Sequence, residues 1–217
     1  MEEIKVAAVD PGTVNGAAWI GSYFPSTGKI HTHAMMLGAR IKDGPAYSIA
    51  ADMAMWTADK CEEYGVDHVL VETAPQWNIS ARICAASTYG VFVGRRIKNV
   101  KYSSPVTKHS AVNKFATTLG IEKELEYIPE SLNRTDKKDS AKARLINKRN
   151  AVRVVRRLLD FSDDLEGKKV METEQTSGKN KLDDLSDALL LACGMAIKMN
   201  EDSTKKNKPR KTTRPKI

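Results

Sequence analysis

The sequence predicts an α/β domain in which a mixed five-stranded sheet carries helices packed against it. Three observations lead there. The chain opens with three short apolar runs separated by Gly/Pro-containing turns, which reads as an antiparallel meander. A helix, a strand, a helix, a strand and further helices then follow in turn, judged by apolar spacing. Its 217 residues are enough for one ordinary domain with a real core, plus a tail.

In order, Ile4 to Val9 is the first strand. Asp10 to Gly16 is a turn, since Pro11, Gly12, Asn15 and Gly16 all favour one. Ala17 to Phe24 and Lys29 to Leu37 are the second and third strands, joined by a turn at Pro25 to Gly28. Ala46 to Tyr64 is a helix, with Ile49, Met53, Trp56 and Lys60 at helical spacing and Gly65 to end it. Val66 to Val71 is the fourth strand, Ile79 to Ile97 a helix rich in small residues, and Val100 to Ser103 the fifth strand. Ser104-Pro105 opens another helix, which Gly120 closes.

Glu122 to Asp139 is polar and reads as irregular. Ser140 to Leu159 is an amphipathic helix. Leu145, Val152, Val155 and Leu159 line one side, with Ala151, Val154 and Leu158 beside them. Lys142, Arg149, Arg153 and Arg156 fall opposite. Phe161 to Lys181 reads as a polar loop and Leu182 to Met199 as the last helix. The division is therefore a domain over 1–199 and a basic tail over 200–217, expected to be disordered because it has almost no apolar residues.

The net charge of +8 is uneven. Arg134 to Arg157 carries a local +8 and Glu201 to Ile217 a local +5, which leaves −5 for the rest. An acidic body with two basic segments suits a protein that holds metal ions and grips a polyanion. Cys61, Cys84 and Cys193 are odd in number, far apart and without metal-ligand spacing, which points to a reducing, intracellular setting. No secretory leader opens the chain and no apolar run is long enough to span a bilayer, so no membrane partner is expected.

Carboxylates carry the strongest chemical signal. Asp10 and Glu72 each follow an apolar strand, Val6 to Val9 and Val69 to Val71. Asp184 and Asp187 open an apolar helix at i,i+3 spacing, on one face. Each has a bland reading: Asp in a turn accepts backbone N–H groups, a strand-end Glu points to solvent, and acids suit a helix N-terminus. Asp183 fits that last reading too, and helical geometry alone does not choose between Asp183 and Asp184. Brought together, these groups would repel one another unless divalent cations neutralised them, and an all-oxygen set selects Mg²⁺ or Mn²⁺.

These residues carry a family resemblance. IKVAAVDPGTVNGAAWI, HVLVE, ASTYGVFVG, YSSPVTKHSAV and DDLSDALLLA resemble, in that order, segments of the RuvC-type Holliday-junction resolvases of the ribonuclease H-like superfamily. The resemblance spans roughly Ile4 to Ile197. It implies a ribonuclease H-like sheet, and a catalytic set of Asp10, Glu72, Asp184 and Asp187 that holds two metal ions per active site. It favours Asp184 and Asp187 over Asp183, and it adds Lys108 as a lysine at the active site. The family also carries an aromatic in the loop after the catalytic Glu. Trp77 is the large aromatic near Glu72 here, though further along the chain, and serves either junction contact or packing.

The expected activity is a metal-dependent endonuclease resolving four-way DNA junctions by paired symmetric cuts, as a homodimer, with no small-molecule substrate. Arg82, Lys142, Arg149, Arg153 and Arg156 are the expected DNA-binding cations, together with Trp77. The rivals are a nuclease of the same fold acting on other branched DNA or on RNA–DNA, a non-catalytic junction binder, and an ATP-dependent phosphotransferase. The last needs a second lobe and a second phosphate-binding turn, neither of which is visible in the sequence. His31 and His33 alternate on a strand and read as a solvated face, and Met35, Met36, Met53, Met55 and Met195 as core filler.

Overall fold

A computed structural model describes residues 3–12, 15–39, 46–74, 78–104, 106–133, 135–176 and 182–206. Three strands lead, β1 (Ile4–Asp10), β2 (Asn15–Phe24) and β3 (Lys29–Ala39). Then come α1 (Ala46–Tyr64), β4 (His68–Glu72), α2 (Ile79–Gly94), β5 (Asn99–Ser103) and α3 (Val106–Leu119). A single 3₁₀ turn at Glu122–Glu124 precedes α4 (Lys137–Ser162), α5 (Leu165–Thr176) and α6 (Leu182–Lys206).

The sheet order is β3-β2-β1-β4-β5. β1, β2 and β3 pair antiparallel, whereas β4 pairs parallel with both β1 and β5. A parallel neighbour needs a crossover rather than a hairpin, and α1 and α2 supply the two crossovers. Alternation along β1 divides the core in two. Val6 and Ala8 face a layer built from α3, α4, α5 and α6, while Ala7 and Val9 face α1 and α2. Both faces of β1 are covered, hence its unbroken apolar run. α6 lies between the sheet and α3 and α4, so Leu185 and the stretch from Ala188 to Cys193 are fully enclosed.

Several sequence expectations need correction. α4 begins at Lys137, not Ser140, because Asp136 caps it: its carboxylate accepts the N–H groups of Lys138 and Asp139. Leu145 is 52% exposed, since the buried stripe of α4 runs through Ala143, Ile146, Ala151, Val154, Val155, Leu158 and Leu159. Phe161 to Lys181 is not simply a loop. α5 forms there on a narrow apolar stripe of partly buried Val170 and buried Met171, with Asp164 accepting the Gly167 N–H at its start. α6 runs on through Lys206, so Asn200 to Lys206 is helical, and Glu201 pairs with Lys114 of α3. Residues 207–217 lie outside the described residues. Met55 is exposed rather than core, and His33 is not solvated: it stacks on Tyr64 and contacts Ser22.

The α4–α5 corner also protects the sheet edge. Ser162 Oγ accepts the Ile30 N–H at 3.0 Å and Asp164 Oδ2 the Thr32 N–H at 2.7 Å, so two edge donors of β3 are satisfied by side chains. Cys61, Cys84 and Cys193 are all free and buried. Among the described residues no helix is long and apolar enough to cross a membrane.

Candidate active site

Strand parity puts two carboxylates side by side. Asp10 follows Val6 and Ala8 at two-residue steps and so points to the α6 face. Leu70 faces the same layer, and Glu72 is two residues on. Because Val9 pairs with Val71, the next residues along, Asp10 and Glu72, end neighbouring strands at the same edge. The turn that frees Asp10 depends on Gly12. A Cβ there would sit 1.6 Å from the Asn15 carbonyl oxygen, so the chain doubles back only over glycine. The Gly12 N–H donates to Asp10 Oδ1 at 3.3 Å.

From the opposite side, α6 delivers Asp184 and Asp187 one turn apart, and both line the same cleft as Asp10 and Glu72. Asp183 turns away and is ion-paired with Lys148 of α4. Lys108, in the first turn of α3, reaches between two of the acids. Its Nζ is 3.1 Å from Glu72 Oε1 and 2.5 Å from Asp187 Oδ2. The sequence-predicted set of Asp10, Glu72, Asp184, Asp187 and Lys108 therefore meets in one cleft of about 820 Å³.

The electrostatics are those of a cluster short of positive charge. Burial, then the charge of Glu72, pushes Asp10 up to about 7. Burial raises Glu72 as well, against the pull of Lys108. Asp184 rises to about 6 through burial, with Asp183 and Asp10 adding to it. Burial acts to lower Lys108, but Asp187 and Glu72 outweigh it and its ammonium is held above the usual range.

This donor set fits a hard divalent cation: the ligands are all oxygen, they are shielded, and among the described residues Lys108 alone forms ion pairs with them. As arranged, no three His, Cys, Asp or Glu side chains among the described residues stand close enough to hold an ion. Lys108 lies between Glu72 and Asp187, so it has to move before both can ligate one.

α4 forms the facing wall through Ser140, Ala143, Arg144, Asn147, Lys148 and Ala151, spaced at three and four residues. His109 and Asn113 of α3 join them. Burial and the nearby Lys108 lower the pKa of His109. Sequence reasoning placed Ala151 beside the apolar side and missed Ser140, Ala143, Arg144, Asn147 and Lys148, because it named only an apolar and a basic side of α4. The signal was present as small and polar residues at three- and four-residue steps that continue the line of Ala151, Val154 and Leu158 toward the start of the helix.

The expected DNA-binding cations fall elsewhere. Arg149, Arg153 and Arg156 line a separate outer groove of α4, alongside Leu145 and Val152. Arg149 and Arg153 hold Glu126, and Arg157 holds Glu124. Lys142 is exposed on α4 and Arg82 on α2, neither lining the cleft. Trp77 lies outside the described residues, between Ala74 and Asn78, which do line it.

No family model matches the chain, and no curated protein sequence matches it. Solved structures do. Thermus thermophilus RuvC aligns at a TM-score of 0.58 with 12% identity, over 92% of this chain and 97% of that one. Thermus thermophilus RuvC in complex with a Holliday junction substrate aligns at 0.56 with 11% identity, over 91% and 96%. The yeast mitochondrial Holliday junction resolvase aligns at 0.53 with 16% identity, over 94% and 86%. At such identities the likeness establishes the fold: a ribonuclease H-like mixed sheet flanked by helices.

Proposed function

We propose that this chain is a divalent-metal-dependent endonuclease that cuts four-way DNA junctions, working as a homodimer that makes one cut per active site. The observation that carries the reading is the meeting of Asp10, Glu72, Asp184 and Asp187 with Lys108 in one cleft, from four elements far apart in the chain. On this fold, one solved neighbour is described as a Holliday junction resolvase, and Thermus thermophilus RuvC and the Fowlpox virus resolvase are each solved with Holliday junction substrate. That supports the choice of substrate without extending their chemistry to this chain.

Asp10, Glu72, Asp184 and Asp187 are the residues that would hold Mg²⁺ or Mn²⁺. A divalent cation there lowers the pKa of an attacking water and offsets charge on the leaving oxygen. The chain's own groups prepare the site. Asp10 is fixed by the Gly12 N–H. Asp10 and Asp184, raised to about 7 and about 6, release protons as they take up a cation, so binding tightens as pH rises through that range. Lys108, paired here with Glu72 and Asp187, would be free to meet a phosphate oxygen once those carboxylates held a cation, and its ammonium would then offset negative charge on the phosphate.

Two cuts need two sites, and α2 offers the surface for pairing. Ile79, Ile83, Ala86, Gly90 and Val93 are exposed at helical spacing on one side of it, an apolar stripe with small residues at its centre.

The test is incubation with a synthetic four-way junction, with and without Mg²⁺ or Mn²⁺, beside three-way, flap, duplex and RNA–DNA substrates. Cuts in two opposing strands that require the metal, and that vanish in Asp10→Asn, are expected. Absence of cleavage on every substrate in both metals, by protein shown to be folded, would overturn the proposal. Preference for the flap or the hybrid would retain the nuclease and reject the junction.

A further inference from the structure

Three basic side chains line the cleft, Lys108, Arg144 and Lys148. Two are already committed. Lys108 holds Glu72 and Asp187, and Lys148 holds Asp183. Arg144 is exposed, and it has neither ion pair nor hydrogen bond among the described residues. In the outer groove, by contrast, Arg149, Arg153 and Arg157 are held by Glu124 and Glu126. The densest run of positive charge in the chain thus presents one uncommitted guanidinium to the cleft.

Its placement is specific. Arg144 lies one turn, about 6 Å along the axis, before Lys148, whose partner Asp183 adjoins Asp184. Asn147 on the same helix and Asn113 on α3 also face the cleft, and neither amide has a partner among the described residues. At one end the cleft is acidic and needs cations before any phosphate can approach. Beside it the wall offers a planar five-donor group and two neutral amides. A guanidinium fork suits a phosphate diester, and amides suit sugar or base oxygens and nitrogens. A repeating polyanion fits this layout better than a single small anion, because Arg144 and the four carboxylates line one cleft and can meet successive phosphates of a strand.

We infer that Arg144 grips the phosphate adjoining the scissile one and so aligns the cut strand, with Asn147 and Asn113 contacting the same nucleotide. This rests on the nuclease reading and assigns a substrate-positioning residue within it.

The experiment uses the full chain and its Arg144→Ala and Arg144→Lys variants. Junction binding is measured in EDTA across a salt series, and cleavage in Mg²⁺ across substrate concentrations. For Arg144→Ala the salt slope of log K should become shallower by about 1, the amount for one lost phosphate contact. Its kcat/KM should fall roughly 10- to 100-fold, the worth of a charge-assisted hydrogen bond. Arg144→Lys should restore the salt slope but not the full rate, because an ammonium lacks the fork. Unaltered Tm in both variants separates this from a structural role. If Arg144→Ala matches wild type in slope and rate while Asp10→Asn is inactive, the inference falls and the nuclease stands. If wild type binds the junction without cutting it, the nuclease reading falls and the positioning role with it, and the slope decides only whether Arg144 meets a phosphate. If wild type binds no DNA, both fall.

Discussion

Replacing Asp10 by asparagine should make the cation-free protein more stable. Asp10 is pushed from 3.8 to about 7, chiefly by burial and then by Glu72. A carboxyl whose folded-state pKa is raised binds its proton more tightly folded than unfolded. Stability is therefore lost as pH rises from about 4 to about 7, and the loss is complete above that. At about 1.4 kcal/mol per pH unit, the displacement corresponds to at most about 4 kcal/mol. Asparagine abolishes that loss and keeps an oxygen for the Gly12 N–H. Its own desolvation takes back part, so a gain of about 2 kcal/mol is expected, or roughly 4–8 °C in Tm for a chain of this length. The assay is thermal unfolding in EDTA at pH 5 and pH 8. The gap between Asp10→Asn and wild type should be wider at pH 8, and saturating Mg²⁺ should narrow it by stabilising only wild type. Equal or lower Tm for Asp10→Asn at pH 8 in EDTA would refute the claim that the site is electrostatically frustrated without cations.

Lys108→Met should lower stability by about 3 kcal/mol in EDTA at pH 8, since it leaves Glu72 and Asp187 shielded without their ammonium, and the deficit should shrink as pH falls, because burial raises the pKa of Glu72 and its neutral form needs no partner; unfolding curves at pH 8 and pH 5 check it. Deleting residues 207–217 removes Lys208, Arg210, Lys211, Arg214 and Lys216 but leaves the Lys114–Glu201 pair on α6. It should flatten the salt dependence of DNA binding without changing Tm, and an unaltered slope would give that segment a solubility role instead. If the proposed homodimer pairs through the exposed stripe of α2, Ile83→Asp should give a monomer in light scattering while leaving folding intact, and an unchanged mass would reject that surface.

Strand-borne parts of the site were legible because strands encode direction. In β1 the two-residue alternation fixes that Asp10 shares a face with Val6 and Ala8, and β4 does the same for Glu72 behind Leu70. α6 was legible to one turn only. Its i,i+3 spacing grouped Asp184 with Asp187, but Asp183 also fitted, and the choice depends on Lys148, which is 35 residues away along the chain. Elements held by their contacts more than by local propensity escaped. α5 is a polar stretch that becomes a helix because Asp164 starts it and Val170 and Met171 find the sheet and α4 beneath. The start of α4 was recoverable in principle, since Asp136 is a good N-cap residue three before Asp139. Dense positive charge follows it along α4.

That charge shows why counting cations misleads. The wall of the cleft is clamped to the segment after the 3₁₀ turn, whose Leu125 and Ile128 line the cleft beside Asn150. Asn150, buried on α4, donates to the Glu126 carbonyl at 2.9 Å and accepts the Glu126 N–H at 2.8 Å. The Glu126 carboxylate meanwhile holds Arg149 and Arg153, and Arg149 lowers its pKa by hydrogen bonding. The backbone clamp fixes the segment; the carboxylate occupies the arginines. These two tasks separate in Glu126→Gln, which keeps the backbone bonds to Asn150 and removes the negative charge. Exposed ion pairs contribute little to folding, so Tm should barely move. Nucleic-acid affinity at low salt should rise, and the salt slope should steepen by about 1 to 2, as two guanidinium groups become available to phosphates. A gain of binding from removing one acid, with cleavage position unchanged, would mean that the outer groove is a strand-binding surface restrained by its own chain. Unaltered affinity and slope would mean that the arginines of this groove serve only to hold the segment, leaving Arg144 as the contact that α4 makes with substrate.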